Sequence, residues 1–208
     1  MMLRSLSFAL FAVLACACRA GGGELLLDSH GHAMATLAGG CFWCLEASFE
    51  ELPGVERVLS GYTGGQRLNP TDEEVSEGGT GHAEAIQVFF DSERLSYEEL
   101  LDYFWRQIDP TDSGGQFDDR GDEYRTCIYY HSESQRTVAM ESRRALGTSE
   151  RFVGEIVTRI ELAPAFYLAA ERHQDFCTKN PDRYRASHAA SGRDEFFKSV
   201  WSMDSKAK

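Results

Sequence analysis

The chain has 208 residues, a formal net charge of −12 and a sequence pI near 4.9. This length supports one domain of ordinary size, and no segment repeats at a fixed period. The acidic balance argues against a nucleic-acid-binding protein, because neutralising phosphates requires clustered Lys and Arg side chains. We therefore expect one folded domain with a solvated acidic surface and no nucleic-acid partner.

The first twenty residues are typical of an export signal. Arg4 gives a short positive start, and the stretch from Leu6 to Ala17 is almost entirely apolar but too short to span a bilayer. We assign residues 1–20 to a signal peptide or lipoprotein signal, residues 21–33 to a linker, and residues 34–208 to the folded domain. This division predicts an exported protein.

The end of the apolar stretch leaves two ways of processing open. The run Val13-Leu14-Ala15-Cys16 resembles a bacterial lipoprotein processing site, in which the cysteine becomes the lipidated first residue. Ordinary cleavage near Ala17 or Ala20 is the alternative. The protein is accordingly expected to be periplasmic, or held at the membrane by a lipid anchor through Cys16.

The segment Gly40-Cys41-Phe42-Trp43-Cys44-Leu45 places two thiols one helical turn apart around two aromatic side chains. A short strand is predicted before it at 34–38, and apolar residues recur after it at helical spacing as far as residue 52. Cys41 should therefore lie at a helix N-terminus, where free backbone N–H groups and the helix dipole favour a thiolate. We predict that Cys41 is the attacking thiol and that Cys44 can close a disulfide on it.

Three other interpretations of this cysteine pair are open. A zinc site needs about four ligands, and no second paired cysteine spacing occurs in the body of the domain. A structural disulfide closing so small a loop would restrict the unfolded chain little. A thioredoxin-like thiol–disulfide exchange protein is the stronger alternative, because its motif also lies between a strand and a helix, although Phe-Trp is a bulkier insert than that exchange needs.

The rest of the chain alternates between predicted strands and predicted helices. The predicted strands are at 55–62, 83–90, 124–131 and 153–162, and the predicted helices are at 96–108, 134–146 and 165–176. Two long loops with several glycines, at 63–81 and 109–123, are expected to carry function. This interleaving predicts an α/β (α+β) fold class with a mixed sheet.

Two polar side chains stand near the starts of predicted strands. Glu84 begins an apolar strand, where a buried carboxyl is costly unless it is paired or protonated. Tyr124 leaves a loop for a strand in a similar way. The ordinary explanation is a solvated acid in the first case and a core tyrosine with its hydroxyl at the rim in the second. The functional explanation is that perturbed carboxyls cluster at active sites.

Five motifs, taken in order, resemble those of the A-type peptide methionine sulfoxide reductases. They are Gly40-Cys41-Phe42-Trp43, Gly61-Tyr62-Thr63-Gly64-Gly65, Gly81-His82-Ala83-Glu84, Tyr124-Arg125 and His173-Gln174. The resemblance extends from about Met34 to Tyr184, and the first and third motifs are specific. It implies a two-layer ferredoxin-like sandwich. It also implies thiol-dependent reduction of the S epimer of methionine sulfoxide, free or in oxidised proteins, as protein repair after oxidative damage.

The resemblance also implies roles for the reacting groups. The Cys41 thiolate attacks the sulfoxide sulfur, and Glu84, kept protonated by an apolar site, donates a proton to the departing oxygen. Methionine leaves Cys41 as a sulfenic acid, which Cys44 converts to a disulfide. Thioredoxin or another thioredoxin-like dithiol then reduces this disulfide, and neither a bound cofactor nor a metal is implied.

Four further residues are implied to hold the substrate. Tyr124 hydrogen-bonds the sulfoxide oxygen, and Phe42 and Trp43 hold the S-methyl group against their rings, which selects the epimer. Asp119 matches an acidic position near the substrate and orients its backbone or amine, with an exposed loop aspartate as the alternative.

The sequence departs from the common family pattern in three places. Cys44 stands where glycine is usual, which makes it the best resolving thiol. No cysteine follows Cys177, so the C-terminal resolving cysteines of many relatives are absent and the tail at 187–208 has no obvious catalytic role. Asp72 stands where many relatives have a second active-site tyrosine. We interpret Cys127 and Cys177 as buried or incidental, with Cys177 a weak backup resolver.

Overall fold

The computed structural model describes residues 27–28 and 30–202, so the predicted signal at 1–20 lies outside the described residues. The strands are β1 (Ala33–Gly39), β2 (Val55–Thr63), β3 (Ala83–Phe90), β4 (Gly115–Gln116), β5 (Asp119–Arg120), β6 (Thr126–Tyr130), β7 (Arg159–Leu162) and β8 (Tyr167–Leu168). The helices are α1 (Phe42–Glu50), α2 (Asp72–Ser76), α3 (Tyr97–Trp105), α4 (Glu133–Gly147), α5 (Phe176–Lys179), α6 (Pro181–Ala190) and α7 (Arg193–Trp201). Short 3₁₀ turns occur at Asp122–Tyr124 and Glu171–His173.

Six strands form one mixed sheet in the order β7-β6-β1-β3-β2-β8. Each neighbouring pair among β6, β1, β3 and β2 is antiparallel, and with α1 and α3 these strands follow the chain order β-α-β-β-α-β. That order is the ferredoxin-like motif. Strand β8 extends the sheet antiparallel to β2, and β7 extends it parallel to β6. The predicted two-layer ferredoxin-like sandwich with a mixed sheet is confirmed.

The main core lies between the sheet and the helices. Helix α3 starts with a capping box, in which the Ser96 hydroxyl accepts from the Glu99 N–H and the Glu99 carboxylate accepts from the Ser96 N–H. Its buried face contributes Leu100, Leu101 and Phe104, all fully buried. Burial of such a face, rather than helix propensity, supplies most of a helix's stability in a folded domain.

Two predicted elements in the last third of the chain were wrong. The predicted strand at 153–162 is a strand only over Arg159–Leu162, and Val153 is fully exposed. The predicted helix at 165–176 is instead β8, a 3₁₀ turn and the first residue of α5. The sequence prediction also left α2, the β4–β5 hairpin and the tail helices α6 and α7 without secondary structure.

The side chain of Gln174 explains why no helix forms at 165–176. Its Oε1 accepts from the Ser60 N–H at 2.9 Å, and its Nε2 donates to the carbonyls of Ser60 at 2.9 Å and Ala169 at 3.0 Å. Buried backbone groups at the edge of β2 need partners, and this segment supplies them. The segment therefore lies along the sheet edge.

Gly64 ends β2 in a backbone conformation that requires glycine. Its φ is +87°, and a Cβ added there would lie 2.2 Å from the Tyr129 hydroxyl oxygen. Gly78, in the following loop, has a similar φ of +79° but nothing within 4 Å of its Cβ position. Comparing alanine substitutions at these two glycines therefore separates the cost of backbone strain from the cost of a steric clash.

We predict that Gly64→Ala destabilises the fold more than Gly78→Ala. Strain alone should cost Gly78→Ala about 1 to 2 kcal/mol, and the clash in Gly64→Ala should add about 1 to 3 kcal/mol. Urea denaturation of both variants measures the difference in the free energy of unfolding. Equal losses in the two variants would contradict the contact with Tyr129.

Candidate active site

Cys41 is the N-cap residue of α1 and follows β1 after a single intervening glycine. That residue, Gly40, has a φ of +84°, and a Cβ there would lie 2.8 Å from the Cβ of Gln116. Gln116 is itself fixed, because its amide bonds both backbone groups of Asp109, at 2.7 Å to the N–H and 2.8 Å to the carbonyl. The glycine therefore allows strand β4 to pack directly against the backbone next to Cys41.

Glu84 lies on β3, opposite Tyr62 of β2. Its Oε2 accepts a hydrogen bond of 2.9 Å from the backbone N–H of Phe42, the first residue of α1. Burial, and after it the nearby carboxyls of Asp119 and Glu123, raise the pKa of Glu84 to about 8 although the Phe42 N–H opposes the shift. The carboxyl is therefore mostly protonated at neutral pH and can donate a proton.

Cys41 and Cys44 are both partly buried free thiols, and they share a hydrogen bond. Cys41 donates to the Cys44 sulfur, which raises the pKa of Cys41 and lowers that of Cys44. Burial and the carboxyl of Glu84 further raise the pKa of Cys41, while the Arg193 guanidinium further lowers that of Cys44 against its burial. Of the two thiols, Cys44 is therefore the one that ionises at the lower pH.

The predicted effect of the helix N-terminus on the Cys41 thiol is opposed here by Cys44, by burial and by the Glu84 carboxyl, which raise the pKa of Cys41. The first backbone N–H groups of α1 face carboxyls instead, with Phe42 donating to Glu84 and Cys41 donating to Asp119. Burial raises the pKa of Asp119 against these favourable contacts. The helix end therefore holds two acids in place rather than stabilising a thiolate on Cys41.

Tyr124 ends the 3₁₀ turn beside Glu84 and Cys41. Burial raises the pKa of its phenol, and the charges of Glu84 and Cys41 raise it further, so it remains a hydrogen-bond donor. The next residue, Arg125, holds the turn against β3, because its guanidinium donates to the carbonyls of Asp122 and Gly81, each at 2.9 Å. One buried arginine thus fixes Tyr124 relative to Glu84.

An aromatic cluster surrounds Trp43. The Trp43 ring stacks on Phe176 with centroids 3.6 Å apart, and its Nε1–H donates to Nδ1 of His173 at 3.2 Å. Because Nδ1 accepts, these contacts assign the proton to Nε2, which donates to Asp72 at 2.8 Å. The second Asp72 oxygen accepts from the Tyr62 hydroxyl at 2.8 Å. A relay of hydrogen bonds therefore fixes the indole.

Asp72 has an acceptor role here, at the position where a second tyrosine was expected. Although burial opposes it, the Tyr62 hydroxyl, His173 and Arg172 lower the pKa of Asp72. The Arg172 guanidinium lies 2.5 Å from its Oδ2. Phe42 is buried beneath this group, with its ring centroid 5.6 Å from that of Tyr62 and 5.4 Å from that of His173.

The structure brings together all seven residues singled out from the sequence: Cys41, Phe42, Trp43, Cys44, Glu84, Asp119 and Tyr124. Sequence reasoning missed Phe176, Tyr184 and Arg193, which reach the site from α5, α6 and α7. The thiols of Cys44 and Cys177 add to the burial that raises the pKa of Tyr184. A lone arginine and tyrosine in an unassigned tail give no pattern that could have identified them.

The two remaining described cysteines differ in exposure. Cys127 is fully buried in β6, and burial raises its pKa to about 12, so the prediction that it is buried is confirmed. Cys177 is partly exposed on α5, where the little burial it has raises its pKa.

Within 27–28 and 30–202, no three His, Cys, Asp or Glu side chains are placed to share a metal ion. No helix among these residues is long and apolar enough to cross a membrane.

Comparisons with known proteins agree with the geometry. The family model of peptide methionine sulfoxide reductase matches residues 33–205. The chain is similar to peptide methionine sulfoxide reductase MsrA of Bacillus licheniformis, at 52% identity over 168 residues that cover 81% of this chain and 93% of the relative. MsrA of Listeria monocytogenes serotype 4b is 52% identical over 167 residues, covering 80% and 94%. Among solved structures, reduced Mxr1 of Saccharomyces cerevisiae matches with a TM-score of 0.65 at 30% identity, covering 76% of this chain and 90% of its own.

We predict that Cys44 is the thiol that alkylates first as pH rises. Cys41→Ala should raise the pKa of Cys44, because it removes the hydrogen-bond donor, and Cys44→Ala should lower the pKa of Cys41. Iodoacetamide labelling at a series of pH values, with peptide mass spectrometry to locate the label, measures both. Cys127 should stay unlabelled in the folded protein. Earlier labelling of Cys41 than of Cys44 in the unmodified pair would contradict the assignment.

Proposed function

The chain belongs to the peptide methionine sulfoxide reductases, and we propose that it reduces methionine sulfoxide with Cys41 as nucleophile, Glu84 as proton donor and Cys44 as resolving thiol. The observation that carries this assignment of roles is the buried carboxyl of Glu84, which is hydrogen-bonded to the residue that follows Cys41 and whose pKa burial raises. Disulfide exchange alone needs no acid at this place. A sulfoxide needs one, because an unprotonated oxide is a very poor leaving group.

The first step requires the proton that Cys41 shares with Cys44 to move. When it passes to Cys44, the Cys41 thiolate attacks the sulfoxide sulfur while Glu84 protonates the oxygen. The oxygen is transferred, methionine leaves, and Cys41 becomes a sulfenic acid. Glu84 is left as a carboxylate. Because burial raises its pKa to about 8, it regains a proton readily at neutral pH.

The second step forms the disulfide. The Cys44 thiol passes the proton that it took from Cys41 to the Glu84 carboxylate, and the resulting thiolate attacks the Cys41 sulfur. The S–S bond forms, the S–O bond breaks, and the oxygen leaves as water with that proton from Glu84. An external dithiol then reduces the disulfide and restores both thiols. We propose thioredoxin or a thioredoxin-like protein as this reductant.

The aromatic cluster provides a site for the methyl group of the S epimer. Trp43 is partly exposed, with its indole held by His173, and Phe42 lies buried beneath it. Tyr124 is placed to donate to the sulfoxide oxygen, and Asp119 to accept from the substrate's amine or backbone. The substrate is methionine-(S)-sulfoxide, free or within oxidised proteins.

We also propose that the protein is exported, either processed to a periplasmic form or lipidated at Cys16. The composition of residues 1–20 supports this proposal. Expression in a Gram-negative host should give a mature protein whose mass lacks the signal. A mass increased by a diacylglycerol at Cys16 identifies the lipoprotein, cleavage near Ala17 or Ala20 identifies the periplasmic form, and an intact Met1 contradicts export.

The catalytic assignment predicts the effects of two substitutions. With dithiothreitol, the full chain should reduce methionine-(S)-sulfoxide in preference to the R epimer, and Cys41→Ser should abolish the activity. Glu84→Gln keeps an oxygen that can accept from Phe42 but cannot donate the proton, and should slow single-turnover methionine release about 10²- to 10⁴-fold.

The pH dependence provides a matched control. Because the donor is protonated Glu84, methionine release should fall as pH rises through about 8, and Glu84→Gln should lack this fall. Glu123→Gln removes a neighbouring charge that raises the pKa of Glu84, so it should stay active with the fall moved to lower pH. An unchanged rate and pH profile in Glu84→Gln, or an active Cys41→Ser, would refute the assignment.

A further inference from the structure

The guanidinium of Arg193, the first residue of α7, is buried at the edge of the site. Its side chain is 3% exposed, and Nη1 donates to the carbonyl of Gln107 at 3.3 Å. Nε and Nη2 have no hydrogen-bond partner among the described residues. A buried cation with unsatisfied donors is costly, so a nearby anion is needed to hold it there.

The free Nη2 atom points toward the backbone that carries the reactive thiols. It lies 3.9 Å from Oδ2 of Asp119, which is too long for a hydrogen bond. It also lies 3.8 Å from the position of a Cβ on Gly40, the residue before Cys41. Asp119, which also accepts from the Cys41 N–H, therefore provides only part of the required negative charge.

Helix α7 is held in this position by aromatic contacts that leave the guanidinium little freedom. Phe196 and Phe197 each pack edge-on against Phe117, with centroids 5.5 Å apart in both pairs. The Arg193 guanidinium covers the same Phe117 ring, 4.6 Å from its centroid. The charge is thus anchored at a fixed place beside the dithiol.

We propose that Arg193 is a positioning residue that stabilises the Cys44 thiolate and thereby speeds disulfide formation on the Cys41 sulfenic acid. This inference rests on the proposed function. The Cys44 thiolate is then a second anion, besides the Asp119 carboxylate, for the buried guanidinium during the cycle. The proposed role also gives α7, a helix without cysteine, a part in the chemistry. The Arg193 charge lowers the pKa of Cys44 in the reduced pair, which supports the geometry.

Other titratable groups also face Cys44, and most of them oppose its ionisation. They are Glu84, Asp119, Cys177 and Tyr184, besides the Cys41 thiol that donates to it. Once Cys41 is oxidised, its S–H no longer donates to Cys44. The guanidinium is then the charged group that favours the thiolate at the moment when Cys44 must attack.

Arg193→Met, which keeps the length and packing of the side chain, should slow the second step more than the first. When the pKa of Cys44 lies above the pH, its thiolate fraction falls tenfold for each unit that the pKa rises. The more basic thiolate is a better nucleophile, which offsets part of this loss. We therefore expect disulfide formation to slow about three- to tenfold. In a single turnover, methionine release should slow less than disulfide formation does, so that dimedone traps a transient sulfenic acid on Cys41.

The pH profile and a charge-conserving variant distinguish this role from a structural one. The slowing should disappear at high pH, where Cys44 is ionised with or without Arg193, and Arg193→Lys should restore most of the rate. Arg136→Met, which removes an exposed charge paired with Glu133 on α4, should behave like the unmodified protein. If Arg193→Met fails to fold by circular dichroism, Arg193→Gln replaces it.

The outcomes separate this inference from the proposed function. Disulfide formation at the unmodified rate in a folded Arg193→Met, or a slowing equal at every pH, overturns the inference alone. Failure of the unmodified protein to release methionine overturns the proposed function. A normal disulfide in Cys44→Ser moves the resolving role to Cys177 and overturns both the resolver assignment and this inference.

Discussion

The hydrogen bond from the Phe42 N–H to the Glu84 carboxyl is the constraint on which the site depends. It joins the start of α1 to the start of β3, so the attacking sulfur and the acid are set by the sheet rather than by a flexible loop. The same helix end would stabilise a thiolate on Cys41 if its N–H groups were free. Here Glu84 and Asp119 take them, and the site gains a fixed proton donor instead of a permanently ionised nucleophile.

This arrangement concentrates acidic groups around two thiols, and their pKa values shift in different directions. Glu84 stays protonated because burial and neighbouring carboxyls oppose its charge, and Cys41 is opposed in the same way. Cys44 is the acidic thiol because Cys41 donates to it and the Arg193 charge lies nearby. In the proposed function, transfer of the Cys41 proton to the Cys44 thiolate is enough to make Cys41 the nucleophile.

The parts of this structure that were predictable from sequence are those with local signals. The strand, glycine and Cys-x-x-Cys run placed Cys41 at a helix start, and Glu84 was conspicuous because a carboxyl is unusual in an apolar strand. The helix predicted at 165–176 was wrong because Gln174 bonds the backbone of Ser60, 114 residues earlier. Such a contact satisfies buried backbone groups at the sheet edge, and it produces no hydrophobic periodicity in the sequence from which it could be predicted.

Asp72 shows what the substituted tyrosine position does in this chain. A carboxylate cannot donate a hydrogen bond to a sulfoxide oxygen. The Asp72 carboxylate also accepts the one hydrogen bond that the Tyr62 hydroxyl can donate. In return it fixes His173, which in turn fixes the Trp43 indole. Under the proposed function, the chain thus lacks one donor to the sulfoxide oxygen and has an ordered surface for the substrate's methyl group. In the proposed mechanism, stabilisation of the oxygen therefore falls on Glu84 and Tyr124. Because a phenol is a far weaker acid than a carboxyl, the protonation state of Glu84 then governs the rate of that mechanism.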